Sequence, residues 1–399
     1  MANQSLFAEV KRWKKPLHIL RNLLAKNYLK LLPNVEIIGI TGSVGKTLTQ
    51  NAIASVLSQK YKVIVGDENL DPTFRIPKTI LAAKPWDNFI VLEYGIEHLE
   101  DMDSYLSIVK PHIAVVTKIA PTHLKYLKTQ DEVFRQKAKI IKALPRNGIA
   151  ILNSEDPYLK KLKGKTNAKI IWSGPHQRGV KISHFEQNSK GSSFRLHFEG
   201  KKATVNWKII GKHHLLSAYI AADLGLYLGL TLKQIAKGLS QTKPPLHRLT
   251  LKESNNLTII DDSYNSSPQA VKEAVKTLTQ IGKGRQKIAV LGEMKDLGDF
   301  TKDAHRQVGL QIAKTPINYL LTVGAPAKEI SIACKKAQFK GKIFTVSTTE
   351  QAIRKIREVA SKKSTILVKG SRHAHLERVV NGLLGRSTHL HCYHCGSLK

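Results

Sequence analysis

Cysteine is scarce in this chain, and its sequence predicts neither a membrane-spanning apolar run nor a signal peptide. Three cysteines in 399 residues exclude a disulfide framework and indicate a reducing compartment. No stretch approaches the ~20 consecutive apolar residues of a membrane-spanning helix. Lys11, Arg12, Lys14 and Lys15 interrupt the region where the apolar part of a signal peptide would lie. These absences predict a cytoplasmic protein.

The chain is also poor in acidic residues relative to basic ones. The sequence holds 30 Asp and Glu against 64 Lys and Arg, a formal net charge of +34. Such a surplus is typical of proteins that bind nucleic acid, an anionic membrane surface or anionic small substrates. The cations are spread over every segment, which favours a generally basic proteome or nucleotide substrates over a nucleic-acid groove. The proportion of hydrophobic residues, 42%, is that of an ordinary α/β protein.

The stretch EIIGITGSVGKTLTQ, residues 36–50, carries the strongest signal. An apolar strand, a glycine-containing turn and a helix that begins at Lys46 predict a nest of backbone N–H groups at the positive end of a helix dipole. Such a nest binds phosphate. We expect Lys46 to contact the β- and γ-phosphates of a nucleotide and the Thr47 hydroxyl to bind Mg²⁺. The residues of this TGxxGKT turn are Thr41, Gly42, Ser43, Val44, Gly45, Lys46 and Thr47.

Apolar segments at 61–65, 88–93, 113–117 and 148–153 alternate with helical patterns. This alternation predicts a parallel sheet covered on both faces, with the nucleotide beyond the carboxyl ends of the strands. Glu93 ends the second segment, and His123 lies shortly after the third. A carboxylate and an imidazole beside a triphosphate can hold a divalent cation, so both are candidate metal ligands.

Three further segments predict the organisation of the chain. Residues 1–34 form a basic, leucine-rich leader, typical either of a helix on an anionic membrane or of a helix packed on its own protein. Alternating segments from about 171 to 210 predict an antiparallel side sheet, and Thr231 is expected to cap a helix. KPPLHR, residues 243–248, holds two prolines without periodicity and is the best candidate domain boundary.

A second α/β unit without a phosphate loop follows this boundary. Its strand-like segments end in polar residues at 261–265, 293 and 369–372, which we expect to line a cleft that faces the first domain. The final residues contain a CxxC with neighbouring histidines, which favours an unstructured tail over a zinc site because a second ligand pair is absent. These tail residues are His389, His391, Cys392, His394 and Cys395.

Together these motifs resemble the Mur ligases, ATP-dependent amide-forming enzymes of peptidoglycan assembly, and within that family the MurF type. The resemblance runs from about residue 35 to 384 and includes TGSVGKT, VLEYG, DDSYNSSP (261–268), GEMKDLGDF with His305, and KGSR (369–372). It implies an α/β fold in which a P-loop central ATPase domain, with a parallel sheet and a small antiparallel side sheet, precedes a Rossmann-like C-terminal domain. The implied limits are 1–34 for the leader, 35–243, 244–386, and 387–399 for the tail.

The resemblance also implies roles for single residues. Thr47, Glu93 and His123 fall at Mg²⁺-binding positions, and Lys137 aligns with the lysine that this family carbamylates, whose carbamate holds a second Mg²⁺. Arg248 takes the place of an ATP-contacting arginine that bridges the domains. Lys46, His123, Lys137 and Arg248 are therefore expected to be catalytic.

The resemblance also implies contacts for residues of the second domain, and it shows where this sequence differs from the family pattern. Further nucleotide contacts are expected from Asp262 and Asn265, and substrate contacts from Lys369, Ser371 and Arg372. The sequence departs from the family pattern at four positions: His214 and Ser217 replace asparagines near the adenine, His247 replaces a glycine, and Lys118 replaces an asparagine.

The family's N-terminal domain, which grips UDP, is missing or reduced to the leader in this sequence. Three explanations stay open: UDP is held differently, a separate UDP-binding protein supplies the domain, or the substrate is not a UDP-sugar.

The resemblance implies a ligase that uses ATP and Mg²⁺ and joins a carboxylate to an amine through an acyl phosphate. In the MurF type the acid is UDP-MurNAc-tripeptide and the amine belongs to D-Ala-D-Ala. Two alternatives stay open. One is a Mur-like ligase for another acceptor, such as poly-glutamate or a lipid-linked muropeptide. The other is a non-catalytic nucleotide-binding assembly protein, tethered by its leader to membrane or nucleic acid.

Overall fold

The computed structural model describes residues 15–66, 72–176, 178–254 and 256–389. The chain forms two compact units. Unit 1 contains the chain up to Phe185 together with Ser193–Lys208 and His214–Lys243, and unit 2 contains Glu186–Ser192, Ile209–His213 and the chain from Pro244 onward. Within the described ranges, no helix has the length and apolar character that crossing a membrane requires.

Unit 1 is built on a six-stranded parallel sheet of order β2-β3-β1-β4-β5-β6. Its strands are β1 (Glu36–Thr41), β2 (Val63–Val65), β3 (Phe89–Glu93), β4 (Ile113–Val116), β5 (Ile149–Asn153) and β6 (Lys169–Ser173). Its helices are α1 (Lys15–Tyr28), α2 (Lys46–Leu57), α3 (Pro72–Ala82), α4 (Asp101–Ile108), α5 (Leu124–Leu127), α6 (Gln130–Lys142), α7 (Pro157–Lys160), α8 (Leu215–Tyr227) and α9 (Leu232–Ser240).

Both faces of this sheet are covered. The helices α3, α4 and α6 share a core with alternate residues of the strands, including Ile37 of β1. Helices α2 and α8 pack on each other and on the sheet, and Ile38 and Ile40 of β1 are also fully buried. A strand buried on both faces needs a nearly continuous apolar run, which explains the sequence EIIGIT.

The antiparallel side sheet begins later than predicted. Its strands β7 (Lys181–Asn188), β8 (Gly191–Phe198) and β9 (Lys201–Trp207) lie in the order β7-β8-β9 and are joined by short turns. The predicted start near residue 171 is wrong, because Ile171 pairs in parallel with Ile151 in the main sheet. The consecutive apolar residues of β6 are typical of a parallel strand. Thr231 caps α9 in a capping box with Gln234, as predicted.

Unit 2 is built on a sheet of order β10-β11-β15-β12-β13-β14, in which only the edge pair β10–β11 is antiparallel. Helices α10–α12 share one core with the sheet, and α13 and α14 share another. The strands are β10 (Thr250–Ser254), β11 (Leu257–Asp262), β12 (Gln286–Leu291), β13 (Tyr319–Val323), β14 (Lys342–Val346) and β15 (Ser364–Lys369). The helices are α10 (Pro268–Ile281), α11 (Thr301–Ile312), α12 (Lys328–Lys336), α13 (Thr349–Val359) and α14 (Glu377–Leu383).

These two units confirm the predicted fold class: α/β, with parallel sheets and a small antiparallel sheet. The edge strand β10 was not predicted, because its polar sequence TLKES lacks the apolar run of its neighbours. His391, Cys392, His394 and Cys395, on which the zinc alternative rests, lie outside the described residues.

Candidate active site

The turn between β1 and α2 lies at the centre of the unit 1 sheet. Strand β1 runs between β3 and β4, and their registers place Ile40 beside Glu93 and Thr41 beside Val116. The residues that follow all three strands therefore meet at one edge of the sheet. This is the position at which open parallel sheets bind their ligands.

Hydrogen bonds hold the turn against the segment that follows β4. The Ser43 backbone N–H donates to the Lys118 carbonyl at 2.7 Å, and the Ser43 hydroxyl donates to the Ala120 carbonyl at 2.8 Å. The Thr117 hydroxyl donates to the Val44 carbonyl at 2.6 Å. Gly45 then caps α2 in the left-handed conformation, with φ of 83°. The turn is thus preorganised, and it leads directly into a helix N-terminus, a position at which backbone N–H groups bind phosphate.

Gly42 packs too closely on Thr117 to accept a side chain. A Cβ atom there would lie 2.0 Å from the Thr117 Oγ1, and its φ of 144° strains any L-residue. At Gly45 a Cβ atom would meet nothing within 4 Å. We expect Gly42→Ala to destabilise unit 1 by about 3 kcal/mol. The matched variant Gly45→Ala should cost only ~1 kcal/mol, for its positive φ alone. Thermal unfolding of both variants measures the difference, and equal melting temperatures would contradict the packing argument.

The carboxylate of Glu93, at the end of β3, links the turn to two cations. Its Oε2 accepts a hydrogen bond from the Thr47 hydroxyl at 2.9 Å and lies 3.3 Å from the Arg75 Nη2. Its Oε1 lies 3.9 Å from the Lys46 Nζ, which also donates to the Gly42 carbonyl at 3.1 Å. Glu93, Thr47 and Arg75 are all buried. The structure therefore brings together the predicted residues Lys46, Thr47 and Glu93.

Sequence reasoning missed Arg75. It lies on α3, is 4% exposed and pairs with Glu93, so its charge belongs to the same cluster. A buried arginine looks in sequence like any surface cation of a helix. The one signal in the sequence is that Arg75 lies in the apolar stretch FRIP, which indicates that its side chain is buried. Because arginine is almost never fully buried unless it is paired, burial would have predicted an acidic partner.

His123 and Lys137 lie in the electrostatic field of this cluster. Burial, and then the charges of Lys46 and Lys137, lower the pKa of His123 to about 3, so that its imidazole is neutral. Burial, and then Lys46, hold the pKa of Lys137 well below the usual value for lysine, against the opposing effect of Glu93. Lys137 is 1% exposed on α6. His123 precedes α5 in the left-handed conformation, with φ of 53°, a strain that is common at functional sites.

The donor chemistry around the turn fits a magnesium ion. A buried carboxylate and a hydroxyl are hard oxygen ligands of the kind that Mg²⁺ prefers, and they lie 2.9 Å apart in Glu93 and Thr47. A neutral imidazole, as in His123, is the form in which histidine binds metals. Among the described residues, no group of three His, Cys, Asp or Glu side chains forms a metal site by itself. A cation here would therefore depend on oxygens of a bound nucleotide as well.

The structure shows which contact is made by Ser217, one of the residues that differ from the family pattern. Ser217, which replaces an asparagine, lies at the start of α8 and shares a hydrogen bond of 2.8 Å with Thr49 of α2. Both hydroxyls are buried, so this pair joins the two helices next to the phosphate turn. The sequence position alone could not indicate this contact, because Ser217 and Thr49 are far apart in the chain.

Polar residues also meet at the carboxyl ends of the unit 2 strands. The Lys369 Nζ, at the end of β15, lies 2.7 Å from the Asp262 Oδ2, at the end of β11, and donates to the Asn265 carbonyl at 2.9 Å. Asp262 also accepts from the Leu249 N–H at 3.2 Å. Asp262 and Lys369 are buried. The structure thus brings together three of the residues for which the resemblance implies nucleotide or substrate contact.

The buried pair of Asp262 and Lys369 gives a stability prediction. Lys369→Met keeps the apolar stem but leaves the carboxylate buried without its cation, and we expect a loss of about 3 kcal/mol or more. Asp262→Asn in the same chain should restore part of this loss, because no charge is then buried. Urea unfolding measures both effects. The exposed residue Lys328 provides the control: Lys328→Met should leave the free energy of unfolding within about 0.5 kcal/mol of wild type.

Two further side chains, those of Ser371 and His305, arrange the segments that follow the strands of unit 2. The Ser371 hydroxyl donates to the Glu293 Oε1 at 3.3 Å. The His305 Nε2 accepts from the Met294 N–H at 2.9 Å while its Nδ1 is 2.7 Å from the Thr301 carbonyl. This pair of bonds assigns the proton to Nδ1, and burial lowers the pKa of His305. His305 therefore positions the GEM segment as a neutral ring.

Arg248 and Arg372 both contact the ring of Tyr264. The Arg248 Cζ lies 4.2 Å from the ring centroid and the Arg372 Cζ lies 5.9 Å from it. Arg372 also lies 3.4 Å from the Glu377 carboxylate. His247, which replaces the family's glycine, has a positive φ of 56° and bonds Asp261 at 2.8 Å. The left-handed backbone that glycine would favour is thus retained and held by a side-chain contact.

Comparisons with known proteins agree with this arrangement. The Mur ligase middle domain matches residues 40–224, and the Mur ligase, glutamate ligase domain matches residues 247–372. The UDP-N-acetylmuramoyl-tripeptide--D-alanyl-D-alanine ligase of Bacillus subtilis is 31% identical over 362 residues, which cover 90% of this chain and 78% of that relative. The Escherichia coli ligase of the same name is 29% identical over 357 residues, which cover 88% and 78%.

Solved structures are similar as well. MurF from Acinetobacter baumannii superimposes with a TM-score of 0.82 at 25% identity and covers 92% of this chain and 81% of that one. MurF from Thermotoga maritima, in complex with ADP, has a TM-score of 0.78 at 24% identity and covers 92% and 83%. The predicted resemblance is confirmed: this chain belongs to the Mur ligase family and is an ATP-dependent ligase that forms carbon–nitrogen bonds.

Proposed function

We propose that this protein joins D-Ala-D-Ala to UDP-MurNAc-tripeptide and converts ATP to ADP and phosphate. The observation that carries the proposal is the preorganised turn, with Lys46, Thr47 and the buried Glu93 in mutual contact. The substrates follow from the names of the relatives that match most of this chain. We also propose the cytoplasm as its location and 35–243 and 244–386 as the limits of its two domains.

Two bond exchanges make up the proposed reaction. A carboxylate oxygen of the tripeptide attacks the γ-phosphorus of ATP, and the bond from that phosphorus to the bridging oxygen breaks to release ADP. The amine of D-Ala-D-Ala then attacks the acyl carbon of the acyl phosphate. Phosphate leaves, the nitrogen loses a proton, and an amide remains.

Lys46 and the backbone N–H groups of the turn act on the first exchange. Negative charge on the γ-phosphoryl oxygens is stabilised by fixed donors that need no rearrangement. Glu93 and Arg75 position Lys46 by charge, because the Lys46 ammonium lies 3.9 Å from the carboxylate that Arg75 also contacts. Thr47, Glu93 and His123 would hold Mg²⁺, which supplies electrostatic neutralisation of the phosphate oxygens when bound.

Lys137 has the chemistry that carbamylation requires. Burial lowers the pKa of its amine well below the usual value for lysine, which favours the unprotonated form whose lone pair attacks the carbon of CO₂. The nitrogen loses a proton, and the carbamate that results is an anion within the field of Lys46 and could hold a second Mg²⁺. The expected contacts of Arg248, Asp262 and Asn265 with the nucleotide, and of Lys369, Ser371 and Arg372 with the substrate, stay predictions, as does a separate UDP-binding protein.

An ADP-release assay tests the proposed function. The full chain is incubated with ATP, Mg²⁺ and UDP-MurNAc-tripeptide, with D-Ala-D-Ala present or omitted, and the amide product is identified by mass spectrometry. We expect ADP release and product only when both substrates are present. D-Ala alone, and a glutamate acceptor, serve as controls. Turnover with the glutamate acceptor instead would support the poly-glutamate alternative, and ATP binding with every substrate pair inert would support a non-catalytic protein.

A further inference from the structure

The apolar side chains of α1 and of the turn that follows it face solvent. Six aliphatic side chains there are at least half exposed, and we call this set the leucine face. Its members and their exposed fractions are Leu17 60%, Ile19 58%, Leu20 52%, Leu23 55%, Leu24 52% and Leu31 68%. Isolated exposed leucines are ordinary, but a contiguous set of this size marks an interaction surface.

The opposite side of α1 carries small and polar residues together with Tyr28, which packs on the apolar core of unit 1, and it holds the helix on this unit. Ala25 is fully buried. The ring of His18 lies 4.6 Å from the ring of Phe74 on α3, and the Arg21 guanidinium lies 5.3 Å from the same ring. An amphipathic helix on a globular protein normally turns its apolar face inward. Helix α1 does the reverse, and these contacts fix that orientation.

The charges beside the leucine face have one sign. The sequence from Lys15 to Val35 contains no Asp or Glu. Lys15 and Lys26 lie three turns apart, so that both fall on the same edge of the helix as Ile19. Lys30 follows in the next turn and is exposed. A helix with an apolar face and a basic edge is suited to the interface of an anionic bilayer, where its leucines enter the acyl boundary and its lysines meet headgroup phosphates.

The positive charge of this chain also argues against a second copy of the chain as the occupant of the leucine face. Two copies of a chain with a net charge of +34 repel each other, which disfavours association through this face. Nucleic acid would match the lysines but would leave the aliphatic side chains in water. We propose that the leucine face docks on the surface of an anionic lipid bilayer and holds unit 1 there as a peripheral protein. The proposal does not depend on the substrate of the ligase.

Vesicle flotation of the full chain tests this docking. We expect the protein to float with vesicles that contain phosphatidylglycerol in phosphatidylcholine, and to stay behind with pure phosphatidylcholine. Leu20→Gln combined with Leu24→Gln should weaken the partition at least ~10-fold, because two apolar side chains are lost from the buried face. Lys26→Gln combined with Lys30→Gln should weaken it ~10-fold on anionic vesicles.

Matched variants and a second measurement make the result decisive. Leu310→Gln combined with Ile332→Gln removes two exposed aliphatic side chains from unit 2 and should leave the partition unchanged. Unchanged thermal unfolding of the Leu20/Leu24 variant verifies its fold. The proposal is overturned if that variant floats like wild type, or if neutral vesicles bind equally well. A dimer in sedimentation that this variant abolishes, without vesicle binding, would also overturn it in favour of a second copy.

Discussion

Lys46→Ala should reduce ATP-dependent ligation about 10³-fold while unit 1 stays folded. The Lys46 Nζ lies 3.1 Å from the Gly42 carbonyl of the turn and 3.9 Å from the Glu93 carboxylate. Its removal takes a fixed positive charge from the proposed position of the γ-phosphate. Arg75 still pairs with Glu93, so the buried carboxylate keeps a cation and the fold does not depend on Lys46. ADP release at saturating substrates measures the loss.

The control for this variant is Lys78→Ala, which removes an exposed lysine of α3 in the same unit and should retain wild-type turnover. Thermal unfolding of both variants separates a chemical effect from a folding effect. Normal ligation by Lys46→Ala, with product verified by mass spectrometry, would remove Lys46 from the proposed mechanism. Loss of activity together with a collapsed melting transition would instead show that Lys46 is structural.

Lys137→Ala should reduce ligation about 10²-fold, and short carboxylates should restore part of it. Lys137 is 1% exposed, and burial lowers the pKa of its amine well below the usual value for lysine, which favours the unprotonated form that attack on CO₂ requires. Alanine should leave a cavity that acetate or formate can enter, where the added anion takes the place of the carbamate. Removal of bicarbonate should lower the activity of the wild type and leave that of the variant unchanged. Initial rates with and without each additive provide the measurement.

Lys142→Ala supplies the matched control, because Lys142 lies on the same helix, α6, and is exposed. It should keep full activity and show no response to acetate. NMR with isotope-labelled bicarbonate gives a readout independent of turnover, since a carbamate on the wild type should be absent from Lys137→Ala. Equal rates of wild type and Lys137→Ala would mean that this lysine has no part in the reaction.

Sequence reasoning was most successful where a residue ends a strand. The positions of Lys46, Thr47 and Glu93 follow from strand order alone, because parallel strands bring their carboxyl ends to one edge. It failed where a contact joins distant helices, as for Arg75, whose pairing with Glu93 depends on how α3 lies on the sheet. The leader shows the same limit. Periodicity indicates that its leucines share a face, but it does not say whether protein covers that face.

The two units interleave along the chain, which has a practical consequence for dissecting the protein. Ile210 lies in the segment Ile209–His213, before the boundary at Lys243, yet it is fully buried in a unit 2 core that also contains Leu249 and Val271. A recombinant fragment that starts at Pro244 would lack this side chain and expose the apolar surface it covers. Separate expression of the two halves should therefore yield insoluble or proteolytically fragile products, and cysteine labels or crosslinks in the intact chain are the better route to each half.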